Sequence, residues 1–420
     1  MPPLCRSLIS AWTLLVALVI APSTFAQEPR ALVVAFTVDV QTLDPRAVFT
    51  TQGGSMLGHI YEGLLATDEQ GRLQPRLAER WEIPNPTTIR FHLRKNVKFH
   101  NGEAFDAEAV KYSIESRIKA DSKSPQRPFL SAIERVDIVN PTTVDVKLAV
   151  PAARVVLRNL AYYYGLIVAP RFAEQSTDRF TNAVGTGPYR FVEYRPGERL
   201  VVERNSGYWG KTPGSARITF RIIPEAGTRV AALERGEVDI AYNLPIDQVA
   251  RLRSSDAVRI MSRPTVREVY LGFRTDRKPL DDVRVRQALA MLVNSAELNQ
   301  QLLGGMGRIA DGFVAPEVFG YAKPANRPAY NPTRARELLA EAGQSSFTIR
   351  LGLSNGRFAS DRQIGETIGA YLEQAGVRVE LDAPEFGTFF REIAQPTSKY
   401  DAYVLSWANE LELELPNDDE

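Results

Sequence analysis

Between Asn331 and Trp407 the chain alternates helical and extended patterns three times, and no other feature limits the possible folds as strongly. Asn331-Pro332 opens a helix in which Ala335, Leu338, Leu339 and Ala342 make an apolar stripe, and Gly343 closes it. Phe347 to Leu353 reads as strand, Gln363 to Ala375 as helix, Val377 to Leu381 as strand, Phe386 to Ile393 as helix, and Tyr400 to Trp407 as an apolar strand. Strands separated by helices pair in parallel through right-handed crossovers, so a parallel α/β sheet is predicted here. Upstream, the extended run Val269 to Phe273 precedes a helix capped by Asp282, with Val285, Ala288, Leu289 and Leu292 on one face. A main boundary of the chain is therefore expected near 269 to 276.

The N-terminus reads as a secretory leader. Arg6 precedes an apolar stretch from about Leu8 to Ala21, and Thr24-Phe25-Ala26 then offers a small-residue exit before Gln27. Cleavage near Ala26 predicts a soluble protein of the periplasm. The single cysteine, Cys5, lies ahead of the apolar core rather than at the cleavage point, so no lipid anchor is expected and the mature chain has neither disulfide nor thiol nucleophile. Of the 51 Lys and Arg residues only Arg6 falls in the leader, which leaves the mature chain as many basic as acidic side chains, there being 50 Asp and Glu. With no bulk field, nucleic-acid binding is excluded as the function. At 420 residues and 44% hydrophobic content the chain has material for two or three domains.

The sequence carries no recognisable catalytic constellation. Phe91 to Gly102 alternates apolar and polar residues about a polar break and ends in Asn101-Gly102, which reads as a half-buried hairpin. Asp106 follows as the cap of a helix bearing Val110, Ile114 and Ile118. The three histidines, His59, His92 and His100, have no cysteine or carboxylate cluster to complete a metal site, so no metal is expected. Gly305-Met306-Gly307 with Ala310 matches a dinucleotide fingerprint in letters only, because it follows a helix instead of a strand. No nucleophile elbow, Walker loop or zinc-helix motif occurs, so neither an enzyme nor a cofactor is predicted. Tyr162, Tyr163 and Tyr164 suit an aromatic stacking site and a buried strand equally well.

Ligands of open parallel sheets collect beyond the carboxyl ends of the strands. The strand ending at Leu353 runs into a loop bearing Arg357, and the one ending at Trp407 runs into Glu410. A cation and a carboxylate would thus leave one rim together, as a zwitterionic ligand requires. Spacing alone favours the plainer reading of both as solvated loop charges.

Several stretches resemble the family-5 extracellular solute-binding proteins of ABC importers: Leu43-Asp44-Pro45, Tyr61-Glu62-Gly63-Leu64, Pro75 with Leu77-Ala78-Glu79 and Trp81, and the whole segment Phe91 to Val110. The run Gly185-Thr186-Gly187-Pro188-Tyr189, Gly236-Glu237-Val238-Asp239 and Leu280 to Leu289 complete the set. The resemblance implies a two-lobed type II periplasmic binding fold of α/β class with an extra subdomain in lobe I. Lobe I would take 27–50 and 181–268, the subdomain 51–180, and lobe II 269–420. It implies a monomer that closes on a short peptide and presents it to permease subunits in the inner membrane. Glutathione, an opine or a sugar is the alternative cargo; nickel or haem fits poorly with so few histidines.

By the same resemblance Arg357 matches the arginine that holds the ligand carboxylate in dipeptide binders. Trp407 matches a tryptophan followed three residues later by an aspartate that holds the ammonium, a place taken here by Glu410. Thr51 and Gln52 fall in the family's cleft-lining N-terminal segment, where a surface-loop role is the competing reading. Family members continue well beyond this tryptophan, whereas the present sequence stops at Glu420 after an acidic tail, so a truncated product unable to bind is a further expectation.

Overall fold

The computed structural model describes residues 31–69, 71–176, 181–262, 265–316, 321–358 and 360–408. The leader and Glu410 lie outside them. Three sheets carry the architecture. The first has five strands in the order Ile240–Ala241, Ala31–Phe36, Arg217–Ile222, Arg199–Arg204 and Tyr189–Arg195. Its N-terminal strand pairs in parallel with Arg217–Ile222 and with Ile240–Ala241, so the chain leaves this sheet after Phe36 and returns to it more than 150 residues later.

The excursion contains an antiparallel sheet ordered Ala78–Asn85, Thr88–Leu93, Thr143–Leu148 and Ile133–Asn140, with the helix Ala107–Ile118 packed on it. One face is buried: Ile89, Phe91, Val144, Val146 and Val136 are almost inaccessible. These residues belong to the same apolar cluster as Val34, Leu200 and Phe220 of the first sheet. The excursion therefore shares a core with lobe I.

The third sheet, ordered Arg267–Phe273, Ala402–Ala408, Phe347–Leu353 and Val377–Asp382, builds lobe II around a separate cluster that includes Val285, Leu289, Leu339, Leu351 and Val404. Phe347–Leu353 pairs in parallel with both neighbours, as the alternation requires. Arg267–Phe273 is antiparallel to Ala402–Ala408 and makes the sheet mixed, an edge strand that the helix–strand alternation of 331–407 does not include. Helices start at the caps expected of them: the Asp106, Asp282 and Asn331 side chains accept from Ala109, Arg284 and Arg334 N–H at 3.2, 2.8 and 3.0 Å.

Two local expectations are corrected. Phe91 to Gly102 is not a hairpin: Thr88–Leu93 is flanked on both sides by Ala78–Asn85 and Thr143–Leu148, so no free edge remains on which residues 94–102 could pair. The chain instead turns at Asn96 (φ 63°) and closes a small loop in which Lys98 bridges Ala104. Tyr162 to Tyr164 is not a strand either. It follows the helix Ala153–Ala161 into a short 3-10 turn, with Tyr164 stacked on Phe129 at 4.4 Å between ring centres. The three histidines are apart in role: His59 meets Ser55 O, His92 meets Glu82, and His100 holds a loop. Among the described residues no helix is long and apolar enough to cross a membrane.

The His100 contact explains part of the glycine-rich run. Nε2 lies 3.0 Å from Gly187 O and so must donate, while Nδ1 lies 3.3 Å from the Gly185 N–H and must accept. Only the neutral imidazole does both, and burial pushes its pKa down to about 4. A folded-state value below the unfolded one means that the unfolded chain takes up the proton first as pH falls. Stability is then complete above about pH 6.5 and is lost on the way to about pH 4. We expect this group to contribute on the order of 1–3 kcal/mol after discounting for partial exposure. Urea midpoints at pH 7.5 and 4.5 should differ less in His100→Gln than in the parent, with His59, also lowered by burial, leaving a residual slope. Identical slopes would remove His100 from the account.

Candidate ligand site between the lobes

The strand Phe347–Leu353 is built for burial, with Ile349, Leu351 and Leu353 at 0–1% exposure, and its end delivers the loop Ser354 to Phe358 to the lobe boundary. Arg357 is only 9% exposed. Its Nη1 donates to Gln52 Oε1 at 2.9 Å, and its guanidinium carbon sits 5.1 Å from the centre of the Phe386 ring. Gln52 belongs to the first turn of the helix Thr51–Leu57 in lobe I, and its amide nitrogen donates to Thr37 Oγ1 at 3.1 Å. A cation of lobe II and an amide of lobe I thus meet across 305 residues of sequence.

Apolar contacts flank this meeting. Val38 of lobe I joins a cluster with Phe386, Phe389, Tyr400 and Leu405 of lobe II, and Phe49 stacks on Phe390 with ring centres 5.1 Å apart. In this low-dielectric setting a buried guanidinium fork suits a planar, two-oxygen anion; an anion there would replace the amide oxygen of Gln52 as the acceptor.

The other sequence-derived candidates are distributed differently. Thr51 turns away from Gln52, as successive helical residues must: its hydroxyl accepts from Tyr162 OH at 3.2 Å and lines a separate hollow of about 280 Å³ beside Glu62 and Tyr208. Glu62 has no vacant role there, since Tyr208 OH, Trp209 Nε1 and Thr186 Oγ1 donate to it at 2.7, 2.8 and 3.0 Å. Trp407 is 37% exposed and pairs with Glu268 on the edge strand. Because Leu353 is opposite Val404 in a parallel pair, Trp407 stands about 10 Å beyond the end of Phe347–Leu353, at the rim from which the Arg357 loop departs. Thr37 and Phe386, which contact Gln52 and Arg357, are not among the sequence-derived candidates. Phe386 has a signal, as the first residue of a predicted helix; Thr37 has none, since its role depends on the opposite lobe.

The profile of bacterial extracellular solute-binding proteins, family 5, middle region, matches residues 72–412. The chain belongs to this family. Among curated family-5 relatives, the glutathione-binding protein GsiB of Pectobacterium atrosepticum is 30% identical over 381 residues, 90% of this chain and 73% of the relative. Among solved family-5-like folds, a dipeptide-binding protein of Pseudoalteromonas sp. SM9913 bound to Met-Leu superposes with a TM-score of 0.83 at 24% identity, covering 90% of this chain and 80% of that one. The murein tripeptide binding protein MppA of Escherichia coli gives 0.83 at 23% identity, with 91% and 80% covered. These neighbours show that the family-5 chain has the type II periplasmic binding fold expected of it.

Proposed function

We propose that this solute-binding protein captures a short peptide between its lobes in the periplasm and hands it to a membrane permease, with no covalent chemistry. The observation that carries the reading is the buried Arg357 guanidinium at the lobe boundary, which donates across the boundary to the neutral amide oxygen of Gln52. A peptide carboxylate would be a stronger acceptor at the same place, because it brings the opposite charge as well as the lone pairs. Removing a zwitterion from water is costly unless each end meets a partner, and Glu410, three residues beyond Trp407, is our candidate for the ammonium.

Two features favour a short peptide as cargo. Dipeptide and murein tripeptide binders share the fold, and the boundary holds a buried cation suited to a terminal carboxylate. The GsiB relatives favour glutathione as a second reading, which is itself a short peptide with free carboxylates and an ammonium.

Calorimetric titration of trialanine, its C-terminal amide, and glutathione tests both readings. Tighter binding of trialanine than of its amide supports carboxylate recognition by Arg357, and tighter binding of glutathione than of trialanine moves the cargo to the second reading. We expect Glu410→Gln to weaken trialanine about threefold to tenfold and to leave N-acetyl-trialanine unaffected. Equal loss for both ligands would remove Glu410 from the site. Mass spectrometry of the recovered ligand reports turnover; a cleaved peptide would overturn a purely binding role.

A further inference from the structure

Arg357 departs from a loop whose shape is set elsewhere. Five donors converge on the carboxylate of Asp361. Oδ2 accepts from Ser354 Oγ at 3.2 Å, Arg357 N at 2.8 Å and Phe358 N at 3.4 Å, and Oδ1 accepts from Gly356 N at 3.2 Å and Arg362 N at 2.8 Å. Asp361 is 5% exposed and is the first residue of the helix Asp361–Glu373. The loop it gathers is not one the backbone would choose locally: Gly356 (φ 77°) and Ser360 (φ 57°) are both left-handed, and at the second a side chain makes that conformation costly. The convergence of charge-assisted bonds holds that path and with it the direction in which Arg357 leaves the chain.

The opposite bank is held too. Asn243 Nδ2 of lobe I donates to Arg357 O at 3.4 Å, and Asn243, at φ 52°, is pinned by the buried Arg229, whose Nη2 donates to Asn243 O at 2.6 Å. Arg229 further binds Tyr242 O, Ile223 O and Pro224 O at 3.1, 2.8 and 2.7 Å, and its charge lies within Coulombic reach of Asp361.

We infer that Asp361 is the positioning residue of the anion site: it does not touch the ligand, but it aims the Arg357 guanidinium at the place where a ligand carboxylate binds. This rests on the carboxylate reading of Arg357 proposed above. A loop free to relax would leave the guanidinium about as charged but badly aimed, and supporting groups of this kind decide whether a binding constellation is tight or loose.

The test uses the full chain and two probes, trialanine and trialanine amide, titrated into the parent, Asp361→Asn, Arg357→Ala and the double variant. Asn is isosteric but brings an NH2 donor where only acceptors are wanted. Asp361→Asn should lower trialanine affinity about tenfold and amide affinity less than twofold, and should add less than twofold in the Arg357→Ala background. A purely structural role would weaken both probes alike. If the parent shows no preference for the free acid, or binds neither probe, the reading of Arg357 fails and this inference falls with it. If the parent prefers the free acid and Asp361→Asn keeps that preference in full, the positioning role alone is overturned. Asp361→Ser, a residue type suited to a helix start, replaces Asp361→Asn if the latter does not fold, with the same criteria.

Discussion

Arg357→Ala should lower the affinity for a free-acid tripeptide by about thirtyfold or more, while Lys323→Ala leaves it unchanged. Removing one partner of a desolvated charge pair costs about 2–5 kcal/mol, because the remaining charge stays buried without its complement. At about 1.4 kcal/mol per factor of ten, the lower end of that range corresponds to roughly thirtyfold. Arg357 meets the condition, being buried against Phe386 and bonded across the lobes to Gln52, whereas Lys323 is exposed. The Arg357–Gln52 hydrogen bond is one that the ligand carboxylate displaces, so its loss does not itself lower affinity, and the deficit measures the missing carboxylate partner. Titration of the amide checks this, because the difference between the two probes reports the carboxylate. Equal affinities of Arg357→Ala and Lys323→Ala for the free acid would rule the assignment out.

Gly185→Ala should destabilise the protein by on the order of 3 kcal/mol, an effect at the upper end for one added methyl group. A Cβ at Gly185 would lie 2.1 Å from Ile60 O and 2.9 Å from Tyr61 Cα, which are backbone atoms with nowhere to go. The segment is fastened from three directions: Gly187 N–H donates to Ile60 O at 2.9 Å, His100 N–H donates to Gly185 O at 2.9 Å, and Thr186 donates to Glu62 at 3.0 Å. A shift that relieved the clash would break these bonds in a buried setting. Gly214→Ala is the control, since a Cβ there meets nothing within 4 Å. Urea titrations should show the midpoint of Gly185→Ala well below the parent with an unchanged slope, and that of Gly214→Ala beside it. Coincident midpoints for the two variants would show that the glycine run does not pack against the Ile60 backbone.

The helices are the most legible part of the fold. Asp106, Asp282 and Asn331 cap them through bonds two or three residues long, and a signal of that range survives in sequence. Phe347–Leu353 and Phe386–Ile393 are readable for the same reason, as each follows from periodicity within its own span. The run from Gly185 to Tyr189 is recognisable as a family motif, but its cause is invisible in sequence, because Ile60, His100 and Glu62 that enclose it lie far away in the chain.

Local pattern was enough for the α/β class, the order of elements in lobe II, and the placement of Arg357 on a loop beyond a strand end. Those follow from local periodicity, caps and the sense of parallel pairing. The packing of distant segments was needed to establish that Thr88–Leu93 has neighbours on both sides and so cannot form the hairpin its alternation invited, and that Gln52 faces the cleft while Thr51 faces a separate hollow. It alone showed five donors meeting on Asp361 and a lobe I arginine holding the opposite bank. The physical reason is that a side chain's partner depends on which distant surfaces the packed lobes bring within about 3 Å, and hydrogen-bond directionality at that range is absent from any one-dimensional pattern.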